Sequence, residues 1–313
     1  MALKFCARHV VATGNTTLMF ILTQHGKVCG NRYHAFSGLT QLLNDYIPNA
    51  TYEGENVVMA LQAARYLVKA ALDGFKGKEP VGNAKYLGNL GRLAGERWNV
   101  KEPKDVLDFD NLVAAFAHRS ARLIGTCAEQ IGVLMEVLPP FVNVFVHTFL
   151  SSQKGEDFKT AFDKNSVDLV IASKAHCAYI LVLNFVDTVK SLPNTVSFKP
   201  VISQLCALFA LYELEKAMGD FIEDGFVSAR QASFVRSQSR ALLALIRPNA
   251  VALVDSFNFS DYSLNSSLGR HDGDVYRDMY KRAQLEPLNA TPEGPAWDII
   301  KTVVPKGLNA SKL

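Results

Sequence analysis

The sequence predicts an all-α chain organised as helix bundles. Three observations carry this. Long stretches repeat apolar residues at the helical period, prolines and glycines punctuate those stretches, and no convincing pair of alternating strands is legible. The clearest stretch runs from Asp110 to about Leu138, with Val113, Ala117, Ala121, Ile124, Ala128, Ile131 and Met135 on one face. Four or more amphipathic helices with short connections make a bundle.

Residues 1–28 carry no readable period, since Thr13-Gly14-Asn15-Thr16-Thr17 breaks a helix and no alternation replaces it. Cys29-Gly30-Asn31-Arg32-Tyr33 reads as a turn. A short helix from about Ser37 to Tyr46 follows, with Leu39, Leu42 and Leu43 on one face and Pro48 as its stop. The next helix is expected from Glu55 to Leu72. Val57, Leu61, Ala64 and Val68 form its stripe, broadened by Val58, Ala60 and Leu67, and Gly74 and Gly77 end it.

Residues 77–104 are rich in Gly, Pro, Lys and Asn and are expected to be an inter-domain linker. Beyond the Asp110 helix, Pro139-Pro140 makes a break, with a second segment over Phe141 to Phe149. One long helix is expected over Glu156 to Lys190. Pro200 opens another from Val201 to Phe221. Ala229 to Ile246 and Asp274 to Ala283 complete the set.

The 313 residues are 49% hydrophobic and 20% charged, an ordinary globular balance. A net charge of +3 without a basic block does not call for nucleic acid. Val10 to Leu22 is fairly apolar but interrupted, short of the ~20 apolar residues a spanning helix needs, and no other window is expected to span. The five cysteines are widely spaced with no CxxC pair, which disfavours a disulfide framework or a zinc site and fits a reducing compartment. His118, His147 and His176 lie in or near apolar helices and are expected to be hydrogen-bonded core or boundary residues rather than metal ligands. Arg270, His271, Asp272 and Asp274 suggest a turn held by salt bridges.

Glu53 is the residue around which a chemical reading gathers. It precedes Gly54 and the apolar helix, where a carboxylate complements the helix dipole. Pattern alone does not separate a catalytic base from a helix-end charge, and Glu55 could supply that charge by itself.

Tyr52-Glu53-Gly54-Glu55-Asn56, followed by Leu61-Gln62-x-Ala64-Arg65-Tyr66-Leu67, resembles the peroxisomal acyl-CoA oxidases of the acyl-CoA dehydrogenase superfamily. Arg247-Pro248-x-Ala250-Val251-Ala252-Leu253-Val254-Asp255 and Leu268-Gly269-Arg270-His271-Asp272-Gly273-Asp274-Val275-Tyr276 match in family order, though the family usually has an aromatic at His271. The terminal Ser311-Lys312-Leu313 is a peroxisomal import signal.

The resemblance implies helix bundles like the oxidase C-terminal helical domains, FAD as cofactor, fatty acyl-CoA and molecular oxygen as reactants, and trans-2-enoyl-CoA and hydrogen peroxide as products. It implies a homodimer in the peroxisomal matrix, delivered by the import receptor. Glu53 matches the general base that removes the α-proton. Gly30, Tyr33, Gly54 and Glu55 match cofactor-binding positions, and no metal is implied. Residues 29–76 would be a remnant of the dehydrogenase-like helical domain, 105–304 the oxidase C-terminal domain, and 305–313 a tail with the import signal. Residues 1–28 are left unassigned, and the missing period suggests an N-terminus foreign to the family.

Two departures qualify the match. The family's Gly-Gly-x-Gly-aromatic loop is reduced here to Gly30 and Tyr33, and its N-terminal and middle domains have no counterpart in the 313 residues. The chain alone is therefore expected to be inactive. The alternative is a non-catalytic helical module that pairs with a complete oxidase subunit.

Overall fold

The structure is a computed structural model that describes residues 34–46, 48, 55–134, 155, 157–290, 299 and 302–303. Among the described residues every regular element is helical. They fall into two compact units, one within 49–256 and one joining residues up to 48 with residues from 257 onward.

The larger unit is built on three helices: α2 (Asn56–Phe75), α4 (Phe109–Leu134) and α6 (Ser166–Ser191). Their contact faces are made of small side chains. Ala60, Ala63, Ala64 and Ala71 of α2, Ala115, Ala117, Ala121 and Ala128 of α4, and Ala172 and Ala175 of α6 are all buried. Alanine has the highest helix propensity and adds little bulk, so the same residues favour the helices and let them approach closely. The Ser173 hydroxyl accordingly donates to the Ala60 carbonyl oxygen across the α2–α6 interface at 2.8 Å. Larger side chains, among them Leu67, Phe116, Leu169 and Ile131, fill the remaining space.

Helix α6 is long and apolar enough, by length and composition, to cross a membrane, which corrects the expectation that no window is. Its most apolar window is 61% buried inside this unit, as the central helix of a bundle should be.

Residues 77–104 are not the linker expected. They form a 3-10 helix over Gly82–Asn89 and helix α3 (Leu90–Gly95), and Ala84, Leu87, Leu90, Leu93, Trp98 and Val100 are buried. The segment is tied down by groups distant in sequence. Trp98 Nε1 donates to the Asn111 carbonyl at 2.9 Å. Gln231 Nε2 donates to the carbonyls of Trp98 and Val100 at 3.1 and 2.9 Å. Glycine and proline here shape a compact connection rather than a loose one. Both flanks belong to the same compact unit.

Two expected long helices are each split. Helix α5 (Phe158–Lys164) ends at Asn165, whose φ of −97° and ψ of 12° leave the helical region before α6 begins. The Asn165 side-chain amide bonds back to the Ala161 carbonyl at 2.8 Å, the local competition that lets asparagine terminate helices. Similarly, α7 (Lys199–Lys216) and α8 (Met218–Glu223) are separated at Ala217, where φ is −105° and ψ is 19°. Helix α9 (Ala229–Ile246) begins on a capping box of Ser228 and Gln231 and runs as expected. After a 3-10 turn, α10 (Ala250–Asp255) closes the unit. Pro139-Pro140, Phe141–Phe149 and His147 lie outside the described residues.

The smaller unit joins a 3-10 turn (Ala35–Ser37) and α1 (Leu39–Tyr46) to α11 (Asp261–Leu264) and α12 (Val275–Leu285). The compact units cut across the expected domains, since 29–76 and 105–304 each contribute to both. The Ser267 N–H donates to the Phe36 carbonyl at 2.8 Å. Gly38 has φ of +73°, and a Cβ there would stand 3.0 Å from the Leu264 carbonyl oxygen. Only glycine combines that dihedral with that approach. The Arg270 cluster is the salt-bridged turn expected: Arg270 pairs with Asp272 and Asp278, and Arg282 reaches Asp278 at 2.8 Å. The hydrogen bond from Arg270 holds the Asp272 carboxyl well below the usual carboxylate range.

The buried histidines are core residues. His118 Nδ1 lies 2.7 Å from the Leu93 carbonyl oxygen and Nε2 lies 2.7 Å from Asp224 Oδ2, while its ring stacks on Phe226 at 3.9 Å. The Tyr86 hydroxyl sits between Ser120 Oγ, at 2.6 Å, and His176 Nδ1, at 2.9 Å. His176 Nε2 is buried without a hydrogen-bond partner. Burial pushes this imidazole down to about 4, so it is held neutral.

Two measurements test this packing. Trp98→Ala should cost ~3–5 kcal/mol in urea unfolding, the range for removing a buried aromatic. A cost below ~1 kcal/mol, in the range of ordinary surface substitutions, would return 77–104 to a surface connector. For His176, the unfolded chain gains a proton near pH 6.5, whereas the folded chain resists protonation until about 4. Its contribution to stability is therefore complete above pH 6.5 and lost as pH falls toward 4. Wild type should lose ~3 kcal/mol more than His176→Phe across that window. Equal pH slopes for the two proteins would contradict the assignment.

Candidate functional site

The predicted site gathers at the start of α2. Glu53 and Gly54 lie outside the described residues, as do Gly30, Tyr33 and Ser311, Lys312 and Leu313. Glu55 is described, and its role is clear. It is the N-cap of α2, with φ of −66° and ψ of 146°. Its Oε2 accepts hydrogen bonds from the N–H groups of Val57 at 2.8 Å and Val58 at 3.0 Å. A helix leaves its first amides without intrahelical partners, and a carboxylate at the cap satisfies them while complementing the dipole.

Glu55 thus supplies the charge at this helix end, and Glu53 stands two residues earlier in the sequence. The cap commits Glu55 Oε2 to its own helix.

Helix α2 is held firmly beneath this end. Ala60, Ala63, Ala64, Leu67, Val68 and Ala71 face the core. The Arg65 guanidinium lies over the rings of Phe158 and Phe162, at 5.9 and 5.3 Å, linking α2 to α5. Tyr66 donates from its hydroxyl to the Val81 carbonyl at 3.3 Å. The first-turn valines depart from the expected buried stripe, Val57 being 48% and Val58 53% exposed. The stripe is buried only from Ala60 onward, where α6 and α4 lie alongside.

Sequence inspection missed Ser173 and the ring pair Phe158 and Phe162 as supports of α2. A serine inside an apolar helix and two aromatics at i and i+4 were visible signals, but their partners are over a hundred and over ninety residues away in the chain. An open groove of about 560 Å³ between α7 and α9 is lined by Leu205, Leu208, Phe209, Tyr212, Arg236 and Leu243, among others. No predicted site residue lines it. No group of three or more metal-ligating side chains occurs among the described residues. Cys127, Cys177 and Cys206 are buried, and burial pushes the Cys127 thiol up to about 12, far from a reactive thiolate.

Comparison with known proteins places the chain in a family. Residues 142–304 match the family model described as acyl-CoA oxidase, and residues 4–68 match that of the acyl-CoA oxidase C-alpha1 domain. The second match takes in most of the stretch that carried no readable motif. The chain is 34% identical to peroxisomal acyl-coenzyme A oxidase 1 of Arabidopsis thaliana, over 97% of this chain and 44% of that protein. It is 36% identical to the rat (Rattus norvegicus) protein of the same name, over 84% of this chain and 37% of that one. The chain thus spans less than half the length of these relatives.

Among solved structures, the acyl-CoA oxidase of tomato (Lycopersicon esculentum) is similar with a TM-score of 0.82 and 33% identity, covering 96% of this chain and 43% of that one. Acyl-CoA oxidase-1 of Caenorhabditis elegans, in complex with FAD and ATP, is similar with a TM-score of 0.81 and 32% identity, covering 96% and 42%. With family models matching both ends of the sequence and an oxidase fold over nearly all of it, the chain belongs to the acyl-CoA oxidase family.

Proposed function

We propose that this chain forms the C-terminal helical part of a flavin-dependent acyl-CoA oxidase of peroxisomal fatty acid β-oxidation, with Glu53 as general base. One observation carries the proposal. The Tyr52-Glu53-Gly54-Glu55-Asn56 motif falls inside the stretch that matches the C-alpha1 domain, immediately before the capped helix α2. The substrate is a fatty acyl-CoA, and the overall reaction yields trans-2-enoyl-CoA and hydrogen peroxide with molecular oxygen as acceptor.

The chemistry suits a carboxylate. The Cα–H beside a thioester carbonyl is weakly acidic, so its removal needs a base that is ionised beforehand and stronger than a solvated carboxylate. FAD is the cofactor this family reading calls for, and when bound it would accept the β-hydride. Gly30, Tyr33, Gly54 and Glu55 are the positions proposed to contact it.

We assign residues up to 68 to the dehydrogenase-like domain that carries the base and 142–304 to the oxidase C-terminal domain. The chain is proposed to act in a homodimer in the peroxisomal matrix, with Ser311-Lys312-Leu313 read by the import receptor.

In flavin-loaded oxidase containing this segment, Glu53→Gln should lower acyl-CoA-dependent peroxide release by about three orders of magnitude, within the usual span for a single acid–base group. Unchanged turnover would remove Glu53 from the mechanism. The 313-residue chain by itself should release no peroxide from acyl-CoA and added FAD. Removing the last three residues from a fluorescent fusion should leave the fusion outside peroxisomes.

A further inference from the structure

Helices α7 and α9 pack together and leave the open groove of about 560 Å³ between them. Both of its walls repeat at the helical spacing. Leu205, Leu208, Phe209 and Tyr212 stand at i, i+3, i+4 and i+7 on α7. Arg236, Ser239, Arg240 and Leu243 do the same on α9. Ser239 is small and buried, and its hydroxyl donates to the Val235 carbonyl oxygen at 2.9 Å. Between the arginines the wall is therefore recessed and its one hydroxyl already has an acceptor.

The charges at this groove are unbalanced. Helix α9 carries Arg230, Arg236 and Arg240 and no acidic residue. Arg230 lies over the Phe234 ring at 5.6 Å. Arg236 and Arg240 are exposed, and neither forms a hydrogen bond or ion pair with a described residue. Like charges one turn apart on a helix repel, so this pair opposes the helix that carries it, and a bound anion would reverse the effect. Glu215 also lines the groove. Its neighbour Lys216 pairs with Glu213 at 3.1 Å and lies over the Tyr212 ring at 5.2 Å. Two arginines against one glutamate leave one positive charge over, which suits a monoanion.

We propose that this groove binds an unesterified fatty acid, its alkyl chain along Leu205, Leu208, Phe209 and Leu243 and its carboxylate between Arg236 and Arg240. None of these residues is among those proposed to serve the oxidase reaction, so the site stands whether or not Glu53 is the base. A guanidinium presents paired donors that match a carboxylate, and such bonds are charge-assisted. The volume falls in the ~300–1,000 Å³ range of small-molecule sites. A helix about 10–12 Å across would rest on such a groove rather than fill it, so one alkyl chain fits better than an amphipathic peptide. A headgroup with several phosphates would set its additional charges against Glu215.

Titration calorimetry of the 313-residue chain with sodium dodecanoate, below its micellar range, should show saturable binding at a single site. From octanoate to dodecanoate the affinity should rise by up to about fourfold per methylene. Uncharged dodecanol should bind about tenfold more weakly than dodecanoate. Combining Arg236→Ala with Arg240→Ala should weaken dodecanoate about tenfold or more and leave dodecanol within about twofold. Leu243→Asp, which sets a carboxylate in the path of the alkyl chain, should weaken both ligands about tenfold. All three positions are exposed, so the variants should keep the circular dichroism of wild type.

Absence of saturable dodecanoate binding would overturn the proposal. So would an affinity indifferent to chain length, or wild-type affinity in both the arginine variant and Leu243→Asp. An acidic amphipathic peptide that binds wild type, fails on Leu243→Asp and resists displacement by dodecanoate would give the groove to a protein partner instead. The chain-length series and the dodecanol comparison use wild type alone and decide the matter even where a variant folds poorly.

Discussion

The close approach of α2 to α6 is the constraint on which most of this structure depends. It exists because α2 buries a row of alanines and α6 buries alanine and serine. Larger side chains would hold the backbones apart, and the Ser173 hydroxyl could not then reach the Ala60 carbonyl. A polar bond inside an apolar interface adds direction to contacts that burial alone leaves non-directional. Helix α4 packs on the same pair, and the three helices together fix where the first turn of α2 stands. That turn is where Glu55 caps the helix and where the segment carrying Glu53 joins it.

The same economy of polar groups appears elsewhere in the larger unit. Gln231 closes the capping box of α9 with its oxygen and ties Trp98 and Val100 with its nitrogen. One side chain thus terminates a helix and fastens a segment more than a hundred residues earlier. His118 connects Leu93 to Asp224 in a comparable way, and Arg119 and Arg122 continue that link to Asp220 and Glu223. Buried polar groups are costly unless paired, so each bond specifies which elements meet. A segment of glycine, proline and lysine can belong to a core on these terms, because its few apolar residues are buried and its carbonyls find distant donors.

In the smaller unit, residues from the two ends of the chain form one body. The contact is made by backbone as much as by side chains, with Ser267 bonded to Phe36 and Gly38 pressed against the Leu264–Ser266 turn. The Arg270–Asp272–Asp278–Arg282 network holds the turn that meets it. The motif Leu268–Tyr276, one of the family signatures, therefore has a structural basis in this turn. The helix-end charge follows a similar logic. Two glutamates flank Gly54 in the sequence, and Glu55 is the one that caps α2.

The sequence by itself determined the helical class, the positions of the principal helices, the core placement of His118 and His176, and the family. Those follow from local information: the 3.6-residue period, capping and breaking residues, and short motifs, all readable within a few turns of chain. Tertiary structure decided what depends on distant partners. It joined 77–104 to the core through Asn111 and Gln231, and divided the units across both expected domains. It also made α6 a buried helix despite an apolar composition long enough to span a membrane. Breaks at Asn165 and Ala217 were hidden because apolar periodicity continues through them while the backbone does not. At the site, the motif marked Glu53 as base and Glu55 as a cofactor position, and the geometry of the α2 N-terminus added that Glu55 is the cap, because a cap is defined by which oxygen reaches which amides, and spacing along a chain does not contain that distance.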